Sequence, residues 1–320
     1  INLQKINFPQ SLNTIGIGVF SRCRNLNYID TSKSNYFCFE NNCLYSNNYS
    51  ILYSVTGLPT SINLNEKVTT IRYGALTGVT SVKEIYLPKN LVTIETRSLG
   101  DHQYNKLVVD EENQNYSSYD NDLYSKNFET LYKCNKSGDI VIKEGVKNIV
   151  DGVFLGNNIT SIKLPETLES ISGYCTIPSS VNYLYLPQNI NNISSTSLLL
   201  VDRLGVSEKN ENFTLLNDKY LLDKSQKSLY WVSKNVEIID DLPSTIEEIQ
   251  ERAFSHCTSL SKVVLNNGLK KINSTIFESC NNLKSVEIQS SVVSINSSAF
   301  ALANNLTEII IHKQRGEISG

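Results

Sequence analysis

Apolar residues return along this chain at a fixed interval of 23 positions towards its end: Phe254, Phe277 and Phe300 are evenly spaced, as are Leu260, Leu283 and Leu306, and Val263, Val286 and Ile309. The first residues fit the same template through Leu3, Ile6, Phe8, Pro9, Leu12, Ile15, Phe20, Cys23 and Leu26, with Ile29 opening the next turn. Further copies run Val82, Ile85, Leu87, Pro88, Leu91, Ile94, then Ile159, Ile162, Leu164, Pro165, Leu168, Ile171. A shorter one runs Val181, Leu184, Leu186, Pro187, Ile190, Ile193. Within each copy Leu-x-x-Ile-x-Leu alternates, which predicts a short strand with one face inward. The proline that follows lacks an N–H and ends the ladder. Asn-rich pieces such as "SCNNL" and "LANNL" predict the corners, because Asn tolerates left-handed backbone. One such unit cannot close a core, but stacked units bury a continuous apolar column. The pattern therefore predicts one continuous solenoid over residues 1–320, with about thirteen strand-bearing coils.

Three segments interrupt the period in the same way. "NNCLYSNNYSILYSV" (41–55), "DNDLYSKNFETLYKC" (120–134) and "DKYLLDKSQKSLYWV" (218–232) align without a gap. Each is two apolar-aromatic runs about a polar turn, which predicts inserted β-hairpins near 36–56, 113–134 and 212–233, projecting from one side. Elsewhere the template slips. Thr176 stands where Phe is expected, "SLLLVDRLGV" (197–206) makes a short coil, and the coil entering Pro243 is out of register.

Composition narrows the function classes. Lys and Arg number 29 against 32 Asp and Glu, for a net charge of −3, and no basic stripe stands out. Nucleic acid and anionic membranes are therefore poor partners. No apolar run reaches membrane-spanning length within this segment. The sequence begins inside a repeat and contains no Met, so it reads as an excerpt whose signal peptide or anchor would lie outside it.

The seven cysteines do not form the framework of a small disulfide-stapled domain. Cys23, Cys257 and Cys280 share one template position with three readings: small buried hydrophobes, a disulfide between neighbouring coils, or zinc ligands. The first is preferred, because parallel stacked side chains suit a disulfide poorly. Zinc would need four ligands at compact spacing, and His256 points to the opposite side from Cys257 in an extended chain. Cys38 and Cys43 in the first insert are the better disulfide candidates. "IGIG" (15–18) lacks the third glycine of a phosphate loop, and "DND" (120–122) aligns with the other insert starts and not with a calcium loop. The three histidines, His102, His256 and His312, accompany no nucleophile elbow. These residues predict no catalytic residue, no cofactor and no metal.

With these residues in view, the pattern L-x-x-I-x-I-P-x-x-(V/L)-x-x-I-x-x-x-(A/V)-F-x-x-C-x-x-L resembles the BspA-like leucine-rich repeats. Phe20, Cys23, Phe254, Cys257, Phe277, Cys280 and Phe300 fill its structural positions. The resemblance implies a right-handed leucine-rich-repeat solenoid of short parallel strands with turns and short helical or extended returns. It also implies secretion or cell-surface display, and adhesion to a host or matrix protein or another surface protein, with no catalytic residues to carry over. Two other readings stay open: an intracellular interaction scaffold, or the targeting region of a larger surface enzyme.

Alternation along the strands places Lys5, Tyr28, Glu84, Tyr86, Lys106, Lys163, Tyr183, Tyr185, Arg203, Lys262 and Glu287 on the outer face of one sheet. Tyrosines mixed with both charge signs suit a protein-binding face, for which Tyr28, Tyr86, Lys163, Tyr183, Tyr185 and Arg203 are the candidates. The insert aromatics Tyr45, Tyr53, Tyr124, Tyr132, Tyr230 and Trp231 are the rival site.

Overall fold

The alternating segment of each repeat forms a parallel strand, and residues one repeat apart lie directly opposite each other. Ile6 faces Ile29, Val263 faces Val286, and Val286 faces Ile309. This register follows from the period: a one-residue slip would turn each inward Ile or Val to solvent. In the computed structural model, which describes residues 2–174 and 176–312, the chain is a β-solenoid of about fourteen turns with almost no helix. The residues pack as two compact units, 1–138 with 145–159, and 139–144 with the described residues from 160 onward.

In the first unit the face strands are Lys5–Asn7 with Tyr28–Asp30, and Ser61–Asn63 with Glu84–Leu87 and Lys106–Val109. Return strands form a second parallel sheet, in which Leu52 faces Ile71 and Ile71 faces Ile94. Inward residues of both sheets fill the core, with Leu52, Val68, Ile71, Val82, Ile85 and Leu91 fully buried. In the second unit the face strands include Tyr183–Leu186 with Arg203–Val206, and Ile238–Ile239, Lys262–Val264, Ser285–Ile288 and Glu308–Ile311 in series. Its core holds the phenylalanine column: the rings of Phe254 and Phe277 are 5.0 Å apart, and those of Phe277 and Phe300 are 5.5 Å apart and nearly parallel. The short coil is real: Leu204 faces Leu184, and Ser195–Leu198 forms a 3-10 turn within it. Thr176 is buried in the Phe position, its hydroxyl donating to the Ser172 carbonyl at 2.6 Å.

Each insert contains the expected hairpin and adds a strand before it. Each is a three-stranded antiparallel meander: Phe37–Glu40, Cys43–Ser46 and Ile51–Val55; Tyr116–Tyr119, Asp122–Ser125 and Thr130–Lys133; Phe213–Leu216, Tyr220–Asp223 and Ser228–Val232. The third strand is the coil's own return strand, since Leu52, Leu131 and Leu229 pair in parallel with Ile71, Ile149 and Ile249. The first turn of each carries a pair of left-handed residues, Asn41-Asn42, Asp120-Asn121 and Asn217-Asp218; in the first two inserts the pair is the whole of a tight two-residue turn, which requires that conformation, and in the third the loop, 217–219, is one residue longer. A register shift falls at the same place in all three, at Leu44/Tyr45, Leu123/Tyr124 and Leu221/Leu222. Such a bulge bends the pair and lets its last strand join the solenoid.

The corners differ from the expected ones. Asn281, Asn282, Asn304 and Asn305 are not left-handed; the residues that are stand four apart around the buried Phe or its equivalent. They include Gly18 and Arg22, Gly74 and Gly78, Gly152 and Gly156, Arg252 and His256, Thr275 and Ser279, and Ser298 and Leu302. The asparagines act through their side chains instead. Asn282 donates to the Thr258 carbonyl at 2.6 Å and Asn305 to the Asn281 carbonyl at 2.5 Å, stitching each corner to the coil before it.

Two buried lysines hold the same corner carbonyl in different units. Lys133 Nζ donates to the Leu155 carbonyl at 2.8 Å, and Lys234 Nζ to the Ser255 carbonyl at 2.7 Å, each one residue before a left-handed corner residue. Burial lowers the Lys133 amine to about 8. Close to it lies His102, 7% exposed, with neither ring nitrogen in a well-formed hydrogen bond among the described residues and its ring 4.6 Å from that of Tyr104. Burial, together with the Lys133 and Lys83 charges, outweighs Asp101 and lowers His102 to about 4. A histidine whose folded pKa lies below its unfolded value of about 6.5 stabilises the fold fully above pH 6.5 and progressively less as pH falls through 4. We expect urea midpoints to fall from pH 7 to pH 4, this residue contributing up to roughly 3 kcal/mol of the loss. His102→Leu should flatten that part of the profile; an unchanged slope in the variant would show that His102 is not the titrating group.

Candidate functional site

Alternation leaves every second side chain of the face strands in solvent, and the in-register stack brings those side chains side by side. In the first unit Lys5 faces Tyr28, and its Nζ lies 4.9 Å from the Tyr28 ring centre. Glu84 faces Lys106, and Tyr86 stands two residues along the same strand. The Lys106 Nζ lies 5.1 Å from the Tyr86 ring centre, and the Tyr86 hydroxyl donates to Glu84 Oε2 at 3.3 Å. The Tyr86 hydroxyl and the Glu84 carboxylate raise the Lys106 amine above its ordinary range. In the second unit Arg203 faces Tyr183, its guanidinium 5.9 Å from that ring. Tyr185, beside it, faces Gly205.

Tyr28, Tyr183 and Tyr185 are nearly half exposed, Tyr86 is half-buried, and Lys163, Lys262 and Arg203 are exposed. The structure thus joins six of the outward residues into cation–aromatic pairs, Lys5 with Tyr28, Lys106 with Tyr86 and Arg203 with Tyr183. It leaves Lys163 outside them. Glu287 is drawn into a different contact, its Oε1 2.8 Å from His312 Nε2. The pairing was readable in principle: each cation stands 20 or 23 positions from its tyrosine, one coil away. Such contacts are worth roughly 0.5–1 kcal/mol at exposed sites. Their larger effect is to hold long side chains in place, which lowers the entropy lost when a partner docks.

The insert aromatics turn inward. Tyr45, Tyr124 and Trp231 are buried, and the Trp231 indole donates to the Val201 carbonyl at 3.1 Å. Tyr53, Tyr132 and Tyr230 each meet one ring edge-on, Phe37, Tyr116 and Phe213, with centres 5.2–5.4 Å apart. These rings pack the meander onto its coil, with Tyr53, Tyr132 and Tyr230 half-buried.

The repeat cysteines take the structural role. Cys257 and Cys280 are fully buried free thiols, and Cys280 Sγ donates to the Phe254 carbonyl at 3.0 Å. Burial pushes the Cys280 thiol up to about 12, which keeps it unreactive. Cys38 and Cys43, the better candidates for a disulfide in the sequence, are also free thiols. Cys38 lies opposite Tyr45, and Cys43 opposite Glu40, so the two are diagonal across the hairpin, about 7–8 Å apart and beyond comfortable bonding range. Among the described residues no cluster of three or more His, Cys, Asp or Glu side chains could hold a metal. Nor is any helix among them long and apolar enough to cross a membrane.

At the carboxyl end of the face strands the surface dips into grooves missed by the sequence reading. One of about 530 Å³ is lined by Asn63, Glu66, Tyr86, Pro88, Val108 and Asp110. Another of about 610 Å³ is lined by Glu166, Tyr185, Gln188, Ser207, Glu208 and Lys209. Both lie where the strand leaves the sheet at a proline.

The family model of the BspA type leucine rich repeat region, six copies, matches residues 1–125, 124–241 and 225–320. No curated protein matches the sequence. Among solved structures, a leucine-rich repeat protein from Eubacterium ventriosum superposes with a TM-score of 0.52 at 18% identity, over 99% of this chain and 85% of the other. The pneumococcal vaccine antigen PcpA superposes with a TM-score of 0.52 at 15% identity, over 86% of this chain and 81% of the other. At these identities the likeness is one of fold.

Proposed function

Because this chain belongs to the BspA-type leucine-rich repeat family, we propose that it is a secreted or surface-displayed protein that attaches to a host, matrix or other surface protein through its exposed strand face. Proteins of this repeat class typically act through their surfaces and not through catalysis. The single observation that carries the reading is the recurrence in both units of exposed tyrosines braced by a cation from the next coil. A stack of coils sets such pairs at several places along its face, so modest contacts add up without any one being strong. Surface display draws support from the pneumococcal neighbour, which is described as a vaccine antigen.

The test is adhesion of the purified chain to immobilised matrix proteins and to other surface proteins. Replacing Tyr86 and Tyr183 together by Ala should weaken attachment about 10- to 30-fold, the loss of one or two interface anchors. Unfolding curves should stay close to the parent, since both rings are partly in solvent. No attachment to any such protein, or attachment indifferent to both substitutions, would remove the adhesive reading.

A further inference from the structure

Tyr86 and Tyr185 hold the same place in the repeat. Each follows an inward residue, Ile85 or Leu184, and precedes Leu-Pro at the strand's end. Each forms the wall of one of the two grooves, and in each groove carboxylates stand on the coils before and after: Glu66 and Asp110 around Tyr86, Glu166 and Glu208 around Tyr185. Two separately packed units thus present an aromatic ring between acids from neighbouring coils. The lining residues otherwise differ, so the shared chemistry is not a copy of one stretch of sequence.

The second groove is the more developed. It continues past Tyr185 into a hollow of about 300 Å³ bounded by Gly205, Phe213, Asp218 and Lys224, and both parts share Tyr185, Ser207 and Glu208. Gly205 lies beneath the two tyrosines, which approach its backbone too closely for any side chain there. A Cβ there would lie 2.2 Å from the Tyr183 hydroxyl and 3.0 Å from Tyr185 Cδ2. Tyr183 carries Arg203 over its ring and Tyr86 carries Lys106, whereas no cation lies over Tyr185 among the described residues. Glu208 is in no ion pair there either, and Glu166 Oε2 accepts a hydrogen bond from the Gln188 backbone N–H at 3.3 Å. Two cations line it as well: Lys224 is turned to the Asn210 carbonyl at 2.8 Å, and Lys209 leaves the three carboxylates Glu166, Glu208 and Asp218 in excess. A free aromatic face between unpaired carboxylates is complementary to a cation on a flexible stem.

We infer that the Tyr185 trough binds an extended basic segment of a partner protein, seating a Lys or Arg side chain on the Tyr185 ring between Glu166 and Glu208. The inference rests on the protein-binding reading above and supplies its partner class. In an extended peptide, alternate side chains lie about 6–7 Å apart on one side, so successive basic residues reach the two parts of the trough. The carboxylates steer and the ring holds, so binding weakens as salt screens the acids.

The test uses the full chain and three fluorescein-labelled octapeptides, fourfold repeats of Arg-Ser, Asn-Ser and Glu-Ser, which carry the tested side chain at every second position, followed by fluorescence anisotropy at low and near-physiological salt. The arginine peptide should bind, several-fold more weakly at the higher salt, and the glutamate peptide should not. Tyr185→Ala, and Glu166→Gln with Glu208→Gln, should each weaken the arginine peptide about 5- to 10-fold, a loss on the scale of one desolvated cation–aromatic contact. Tyr36→Ala, another exposed tyrosine outside the trough, should not. Arginine-peptide binding unchanged by either trough variant overturns the inference. A neutral or acidic peptide bound through Tyr185 would keep the face as a protein-binding surface and remove its basic specificity. Adhesion that depends on Tyr86 and Tyr183 with no peptide bound would overturn the trough alone.

Discussion

Phe277→Ala should cost about 3–5 kcal/mol, the loss of a fully buried aromatic side chain plus the cavity it leaves. Phe277 is 0% exposed and lies between two rings of its own kind, at 5.0 Å from Phe254 and 5.5 Å from Phe300. In a stack of repeats each coil is stabilised mainly by its nearest neighbours. Deleting the middle ring therefore weakens two interfaces at once, and local packing cannot close the gap from one side. Phe277→Leu keeps much of the volume and should lose only about 1–1.5 kcal/mol. Phe300→Ala, at a half-buried ring with a neighbour on one side, should fall between the two. The reporter is built in: the chain's one tryptophan, Trp231, is buried in the same unit, so its fluorescence follows that unit's unfolding in urea. Equal losses for Phe277→Ala and Phe300→Ala would show that the column does not transmit stability between coils.

Gly156→Ala should be comparably damaging for a different reason. Gly156 has a left-handed backbone (φ +79), and a Cβ there would lie 2.2 Å from the Asp101 carbonyl oxygen and 2.5 Å from His102 Cα. The obstacle is backbone of another coil, which cannot rotate away. Gly138 shares the left-handed conformation (φ +73) but has nothing within 4 Å of its Cβ position. Gly138→Ala should therefore show only the conformational cost, about 1–2 kcal/mol. Gly156→Ala adds a steric term of about 1–3 kcal/mol or more, for a total of about 3–5. Thermal unfolding of the two variants separates the terms, and equal shifts would mean that the close approach of the coils is not needed for stability.

These corners show how far the sequence could be read. The 23-residue return of Ile, Leu, Val and Phe fixed the inward positions, because only stacking in that register keeps every apolar side chain dry. Arg252, His256, Thr275 and Ser279 carry no such signal for left-handed backbone. No propensity scale favours an arginine or a β-branched threonine there, and the conformation is imposed by tight packing around the buried Phe. The asparagines, chosen for their backbone tolerance, reach the previous coil through their side chains. The inserts are legible as apolar-aromatic runs, and Asn41-Asn42, Asp120-Asn121 and Asn217-Asp218 are the turn signals for the extra first strand of each.

The candidate site divides the same way. Strand alternation was enough to turn Tyr28, Tyr86, Tyr183 and Tyr185 outward, because a period of two leaves no other choice once the inward face is set. It could not place Lys106 over Tyr86 or Arg203 over Tyr183, since those contacts depend on which coils become neighbours and in what register. Alternation says nothing of Tyr45, Tyr124 and Trp231, which are buried because their meanders fold back on the coils they interrupt. The grooves beside Tyr86 and Tyr185 arise where a strand leaves the sheet at a proline while acids arrive from coils on either side. By itself, then, the sequence determined the repeating column and its outward residues, through burial of a periodic apolar face. Only the tertiary structure decided which outward side chains meet and where the surface opens, because both are distances between coils.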